Sequence, residues 1–134
     1  MTRLHPGDVA RLIPALVALR DAGNTVVAID HHPLLWNVAD HIIELGPGAG
    51  DDGGQIVYQG PFRRLAKCEA SNTARWLDDD EISPSRTKSS GILKVATDAA
   101  DISIPLGVVC VIAGVSGVGK TRLLRDQLVL ALER

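Results

Sequence analysis

A glycine-rich segment near the carboxyl end of the chain, residues 114–121, has the sequence GVSGVGKT and matches the pattern GxxxxGK[ST]. The apolar run directly before it, residues 108–113, predicts a buried strand, and the apolar stripe that begins after Lys120 predicts a helix. In this setting the N–H groups of the loop point at phosphate oxygens, and the start of the helix adds partial positive charge. The pattern therefore predicts an α/β chain in which residues 114–121, the phosphate loop, hold the phosphates of a nucleotide.

The side chains of this loop predict which ligands it takes. Lys120 is expected to reach the terminal phosphates, and the hydroxyl of Thr121 is expected to ligate Mg²⁺, which prefers oxygen ligands. ATP and Mg²⁺ are therefore the expected cofactors, the alternative being a glycine turn that matches the pattern by chance. The residues predicted to bind the nucleotide are Gly114, Ser116, Gly117, Val118, Gly119, Lys120 and Thr121.

Length, charge and cysteine spacing argue against several classes of function. The chain has 134 residues, which is short for a nucleotide-hydrolysing domain with all its catalytic parts. Its formal net charge is -2, so the whole chain offers no electrostatic footprint for DNA. Cys68 and Cys110 lie far apart without a CxxC pair, so no zinc site is expected. With no signal peptide and no membrane-length apolar run, we expect a cytoplasmic protein.

The remaining patterns predict alternating helices and strands around a parallel sheet. A helix is predicted at residues 6–22 from the spacing of Val9, Leu12, Ile13, Leu16 and Leu19, with a kink at Pro14. Residues 46–54 are glycine-rich and predict an irregular turn, and residues 78–90 are polar and predict a linker. Strands are predicted at 25–29, 41–45, 55–59 and 92–96, a turn at 105–107, and short helices at 34–39 and 61–67.

Two histidines and one basic cluster are further candidates. His31 follows the predicted strand 25–29, where ligands of open α/β sheets bind, and could meet the γ-phosphate or orient the attacking water. A partly exposed loop histidine beside His32 is the alternative. His5 is a weaker candidate, because Leu4-His5-Pro6 is also typical of a helix entry. Arg63, Arg64 and Lys67 lack interleaved aromatic residues, which favours a solvated face over a nucleic-acid surface.

Several sequence segments of the chain resemble the UvrA family, the damage-recognising ATPase subunit of the bacterial excinuclease. Residues 2–6, 19–27 and 29–31 resemble the stretch from the family's D-loop to its switch histidine, and the resemblance gives that position to His31. Residues 39–48, 53–57 and 69–77 resemble the close of the same nucleotide-binding domain. Residues 104–108 and 114–120 resemble the opening of the next one.

The resemblance implies a domain organisation. Residues 1–77 correspond to the C-terminal part of a UvrA-like ATP-binding-cassette (ABC) domain, residues 78–90 to a linker, and residues 91–134 to the N-terminal part of a second ABC domain with its Walker A loop. The expected fold class is α/β, an incomplete P-loop NTPase of ABC type with a parallel sheet core flanked by helices. In the family the phosphate-loop strand lies between the switch-histidine strand and the following strand. The chain is thus expected to close as a permuted half-domain, with His31 and Lys120 at one edge of three parallel strands and strand 25–29 as a free edge.

The sequence also departs from the family pattern. Arg3, Val118 and Arg122 replace the usual residues, and Pro14 interrupts a helix. The sequence contains no acidic-ended Walker B strand, no LSGGE-like signature, no zinc-binding cysteine clusters and no DNA-binding insertion. Without Walker B carboxylates, hydrolysis lacks its metal anchor and water-positioning base. Little or no ATPase activity is therefore expected from the chain alone.

Three functions remain open at this point. The first is a UvrA-like protein related to nucleotide-excision repair that binds Mg-ATP, for which the resemblance implies DNA and other excinuclease subunits as partners and no membrane. The second is a small stand-alone P-loop kinase or NTPase that uses His31 or Asp30 for acid-base work. The third is a non-catalytic module, or a degenerate fragment, that associates with itself or with a full-length relative.

Overall fold

The computed structural model describes residues 6–77, 88–98 and 100–133, which form a mixed α/β structure. Strands alternate with helices along most of this chain, as the sequence predicts. The strands are β1 (Val26–Ile29), β2 (His41–Gly46), β3 (Gln55–Pro61), β4 (Ile92–Val95), β5 (Ile102–Pro105) and β6 (Val109–Ala113). The helices are α1 (Pro6–Asp21), α2 (Pro33–Trp36), 3₁₀-helices at Gly50–Asp52, Phe62–Lys67 and Ala74–Trp76, α3 (Lys120–Arg122), a π-helix (Leu123–Val129) and α4 (Leu130–Leu132).

The central sheet has four strands in the order β1-β6-β2-β3. β6 pairs in parallel with β1, Val27 opposite Cys110, and in parallel with β2, Ile43 opposite Ile112. The expected position of the phosphate-loop strand between the other two is thus confirmed, and β1 is the end strand of this sheet. The expected core of three parallel strands, β1, β6 and β2, is confirmed. The fourth strand, β3, extends it by pairing with β2 in antiparallel orientation. The short connection between β2 and β3 accounts for this, since a parallel crossover needs about a dozen residues or more.

Both faces of the central sheet are covered. Val109, Val111 and Ala113 of β6 face one core cluster, to which α1, α2 and the 3₁₀-helix Phe62–Lys67 contribute. Cys110 and Ile112 face the opposite cluster. All five residues of β6 are 0% exposed, which explains why its sequence is a continuous apolar run without alternation.

A separate antiparallel hairpin of β4 and β5 covers the second face of the sheet. Sequence patterning predicts β4 but misses β5. β5 places Ile102 and Ile104 in the core, at 0% and 2% exposure, with Ser103 between them. Two isoleucines separated by one polar residue are too short an alternation to be distinguished from a loop.

Helix α1 departs from the expected amphipathic pattern. Pro14 lies inside the helix as predicted, but Val9 is the only fully buried residue of the proposed apolar stripe. Leu12 and Leu19 are 41% and 50% exposed, although α1 contacts α2, β1 and β6. The predicted stripe is therefore only partly used for packing within the described chain.

The helix after the phosphate loop also differs from the simple α-helix that the sequence predicts. It runs through α3, the seven-residue π-helix and α4. Leu123 and Leu128, five residues apart, are both buried, and a helix with i→i+5 hydrogen bonding brings residues at that spacing to the same side. Leu124 is half-buried and Ala131 is exposed, so the predicted stripe is narrower than expected.

Three sequence predictions lie wholly or partly outside the described residues. These are His5, Arg3 and most of the linker at 78–90. Within the described part of the chain, no helix is long and apolar enough to cross a membrane.

Candidate phosphate-binding site

The phosphate loop begins where β6 ends, at the centre of the carboxyl edge of the sheet. Gly114 opens it with φ +141, and a β-carbon at this position would stand 2.6 Å from the carbonyl oxygen of Leu45 and 2.8 Å from Cγ1 of Val118. The neighbouring β2 backbone therefore approaches too closely for any side chain. Both the backbone angle and the packing require glycine at position 114.

Two further glycines turn the chain towards the helix. Gly117 and Gly119 have φ values of +79 and +102, and Gly119 is the residue directly before α3. Left-handed residues of this kind curl the backbone so that its N–H groups converge, which is the geometry that holds an anion. Ser116 and Thr121 are exposed beside this turn, whereas the side chain of Val118 is 2% exposed and packs into the core.

The amine of Lys120 lies over the loop. Its Nζ donates hydrogen bonds of 2.7 Å to the carbonyl oxygen of Gly114 and 2.8 Å to that of Val115. Partial burial lowers the pKa of Lys120, and the negative charge of Asp30 acts in the opposite direction. The loop thus has its cation at the edge where β1 and β6 end.

A second glycine-rich segment, residues 48–54, packs against the phosphate loop. The N–H of Gly50 donates to the carbonyl oxygen of Gly117 at 3.4 Å. A β-carbon at Gly53 would meet the carbonyl oxygen of Val118 at 3.2 Å, so the two loops touch through their backbones. Sequence reasoning marks this segment only as an irregular turn. Its glycine density is the signal that indicates a close backbone approach.

His31 is exposed and lies directly after Asp30, beyond the end of β1. The Oδ1 atom of Asp30 accepts the N–H groups of His31 at 2.6 Å and His32 at 2.8 Å, which fixes this turn. A cavity of ≈ 140 Å³ is lined by His31 together with Gly114 and Val115 of the phosphate loop. The structure therefore brings the two predicted site elements to the same edge of the sheet.

Glu44 forms the inner wall of this cavity. Its carboxylate is 2% exposed and accepts hydrogen bonds from the Thr73 N–H at 3.0 Å, the Thr73 hydroxyl at 2.9 Å and the Ser71 hydroxyl. These bonds attach residues 71–73 to β2. Trp76, which follows that segment and lines the same cavity, is 80% exposed.

The basic cluster and the two cysteines do not line the cavity beside His31. Arg63, Arg64 and Lys67 are exposed on one 3₁₀-helix, in agreement with a solvated face. Cys68 and Cys110 are free thiols. Among the described residues, no three His, Cys, Asp or Glu side chains are grouped as metal ligands.

Comparisons with known proteins give a consistent result. The chain is 42% identical over 133 residues to UvrABC system protein A of Aquifex aeolicus, covering 92% of this chain and 14% of that protein. It is 37% identical over 139 residues to the same protein of Chlamydia trachomatis, covering 97% and 8%. The chain thus spans only 8 to 14% of the length of these curated relatives.

A solved structure is similar over nearly the whole chain. The crystal structure of UvrA2 from Deinococcus radiodurans matches with a TM-score of 0.51 and 34% identity, covering 96% of this chain and 17% of that one. No protein-family model matches the chain.

Proposed function

The chain belongs to the UvrA family as a segment that spans a small part of its relatives' length, and from this premise we propose that it binds Mg-ATP and is related to nucleotide-excision DNA repair. The nucleotide site is the phosphate loop, and the fold is the corresponding part of an ABC-type P-loop NTPase. The observation that carries the proposal is the position of the loop. It lies between a central parallel strand and a helix, with three positive-φ glycines and Lys120 within it.

The residues of the loop fit a triphosphate and its metal. The converging backbone around Gly117 and Gly119 supplies N–H donors, and the Lys120 amine would exchange the Gly114 and Val115 carbonyls for phosphate oxygens. The exposed hydroxyl of Thr121 would join the ligands of Mg²⁺, which neutralises phosphate charge when bound.

His31 is proposed as the switch residue on the γ-phosphate side. Support comes from the cavity that it lines together with Gly114 and Val115. Because its imidazole is exposed, it is free to turn towards a bound phosphate, whereas Asp30 is engaged through Oδ1 in the turn that presents it. This arrangement favours a sensing role for His31 over a stand-alone kinase that uses Asp30 as its base.

Hydrolysis by the chain alone is proposed to be weak or absent. The carboxylate that lines the His31 cavity is that of Glu44, which is buried and already accepts hydrogen bonds from Ser71 and Thr73. Its burial and its three accepted hydrogen bonds leave it little capacity to orient an attacking water. DNA and other excinuclease subunits in the cytoplasm are proposed as partners of the longer assembly to which such a segment contributes.

Self-association is the second candidate function. β1 is the end strand of the sheet, and an end strand offers unpaired backbone groups to another chain. Leu12 and Leu19 on the adjacent α1 are exposed. Sedimentation analysis of the purified chain over a range of concentrations tests this candidate, and a concentration-independent monomer would exclude it.

The test of nucleotide binding is titration of the purified chain with a fluorescent ATP analogue and Mg²⁺. Lys120→Ala is expected to weaken binding by more than about tenfold, because it removes a charge-assisted hydrogen bond to phosphate. Lys67→Ala, which removes an exposed lysine on the 3₁₀-helix Phe62–Lys67, is the matched control and should bind like the parent. Absence of binding by the parent, or equal binding by both variants, would refute the proposed function.

A further inference from the structure

A second cavity is lined by residues 117–119 of the phosphate loop, whereas His31 shares its cavity with residues 114 and 115. The second cavity measures ≈ 300 Å³ and is bounded by the phosphate loop, the glycine-rich segment 48–54 and the start of the following helix. Gly53, Gly54, Gly117 and Gly119 contribute backbone to its walls. Its size is at the lower end of the range of about 300 to 1,000 Å³ for small-molecule sites. A ligand in this cavity would therefore meet backbone at close range and have little spare room.

One carboxylate lies on the rim of this cavity in a fixed orientation. The Oδ2 atom of Asp98 accepts hydrogen bonds from the Arg122 guanidinium and from the Gln127 amide, both at 3.1 Å. No described residue donates to its Oδ1 atom, and the side chain is 77% exposed. A carboxylate held through one oxygen in this way presents the other oxygen to a hydroxyl donor.

The position of Asp98 relative to the phosphates gives the ligand its class. Arg122, which directly follows Thr121, donates to Asp98, so this carboxylate lies close to the start of the helix after the phosphate loop. Leu45, Val118 and Leu123 also border the cavity, but they are only 2 to 4% exposed and belong to the core. The cavity therefore combines a carboxylate that can accept from hydroxyl groups with the backbone of the phosphate loop.

We propose that this cavity holds the nucleoside half of the bound nucleotide, with the ribose hydroxyls donating to Asp98, so that the chain selects ribonucleotides over deoxyribonucleotides. The inference rests on the proposed nucleotide binding and adds a specificity-determining residue to it. A carboxylate that accepts from ribose hydroxyls is a common way to recognise a nucleoside. Arg122 offsets the negative charge of Asp98 near the phosphates.

The test is to measure binding of ATP, 2′-deoxy-ATP and 3′-deoxy-ATP, with Mg²⁺, to the parent chain and to Asp98→Ala. In the parent, loss of a ribose hydroxyl is expected to weaken binding about tenfold, the effect of a hydrogen bond to a charged group. In Asp98→Ala the three nucleotides should bind within about twofold of one another. The ratio between nucleotides is the readout, because removing Asp98 also releases Arg122 and shifts every affinity together.

Asp101→Ala is the matched control, since it removes an exposed carboxylate of the same β4–β5 connection that does not line the cavity. It should keep the discrimination of the parent between the three nucleotides.

If the parent binds all three nucleotides equally while Lys120→Ala binds none, the ribose assignment is wrong and the proposed role of the phosphate loop is retained. If the parent binds none of the three, both the proposed function and this inference are wrong. Circular dichroism of each variant establishes that it is folded.

Discussion

The carboxylate of Asp40 accepts a hydrogen bond of 2.9 Å from the backbone N–H of Val109, 69 positions further along the chain. In return, the N–H of Asp40 donates to the carbonyl oxygen of Val109 at 2.8 Å. These bonds join the start of β2 to the start of β6 in the interior, where Asp40 is 8% exposed. Strands from residues 1–77 and 91–134 therefore share one sheet, whereas the assignment of the two parts to separate ABC domains remains a prediction.

Replacing Asp40 tests how strongly this junction stabilises the fold. Asp40→Ala is expected to lower the free energy of unfolding by about 2 to 3 kcal/mol, because it leaves the buried Val109 N–H without its partner. Urea denaturation measures the change. Asp21→Ala is the control, since Asp21 also pairs with Arg20 but is 62% exposed and should cost less than about 1 kcal/mol. Equal losses in the two variants would contradict the role given to Asp40.

A second prediction separates backbone strain from packing in the phosphate loop. Gly114→Ala should abolish nucleotide binding and destabilise the fold, because the added carbon collides with the Leu45 carbonyl oxygen. Gly23→Ala, at φ +93 with no atom within 4 Å, carries only backbone strain of about 1 kcal/mol and should bind nucleotide normally. Nucleotide titration and thermal unfolding of both variants provide the comparison. Unimpaired binding by Gly114→Ala would contradict the loop geometry.

His41 predicts a pH dependence of stability. Burial lowers the pKa of His41 from 6.5, against the opposing effect of a hydrogen bond with the Ser103 backbone, and its Nε2 atom has no partner among the described residues. The unfolded chain therefore binds the proton more readily than the folded one. The contribution of His41 to stability is complete above pH 6.5 and is lost as the pH falls below it towards the lowered value.

The measurement is urea denaturation at several pH values from about 7.5 to about 5. His41→Gln should flatten the fall in stability over this range, because glutamine takes up no proton. His31→Gln alters an exposed histidine and should keep the slope of the parent. A His41→Gln slope as steep as that of the parent would show that other groups cause the acid sensitivity.

The two cysteines should differ in reactivity. Cys110 is 0% exposed in β6, and burial raises the pKa of its thiol to about 12, so the reactive thiolate is scarce. Cys68 is partly exposed. Iodoacetamide at neutral pH is expected to modify one thiol in the folded chain and two in urea, and Cys68→Ser should react only in urea. Rapid modification of Cys110 in the folded chain would indicate that β6 opens.

Local patterns predict the elements whose signal lies in consecutive residues. The runs that become β1, β2 and β6 are apolar because both of their sides are covered, and the order β1-β6-β2 follows from the family resemblance. β5 is missed because its four residues carry too little pattern. The exposure of Leu12 and Leu19 on α1 also goes unpredicted, since periodicity identifies an apolar stripe but not what lies against it.

By itself, the sequence determines the phosphate loop, its adjoining strand and helix, and the presence of His31 after another strand, because each depends on neighbours along the chain. Only the tertiary structure decides that the glycine-rich segment 48–54 supports this loop, that Glu44 is engaged by Ser71 and Thr73, and that Asp98 meets Arg122 and Gln127. The hydrogen bonds among them join residues 24 to 67 positions apart. Local sequence patterns do not predict such pairs, because the packing of the sheet brings them together and the local backbone does not.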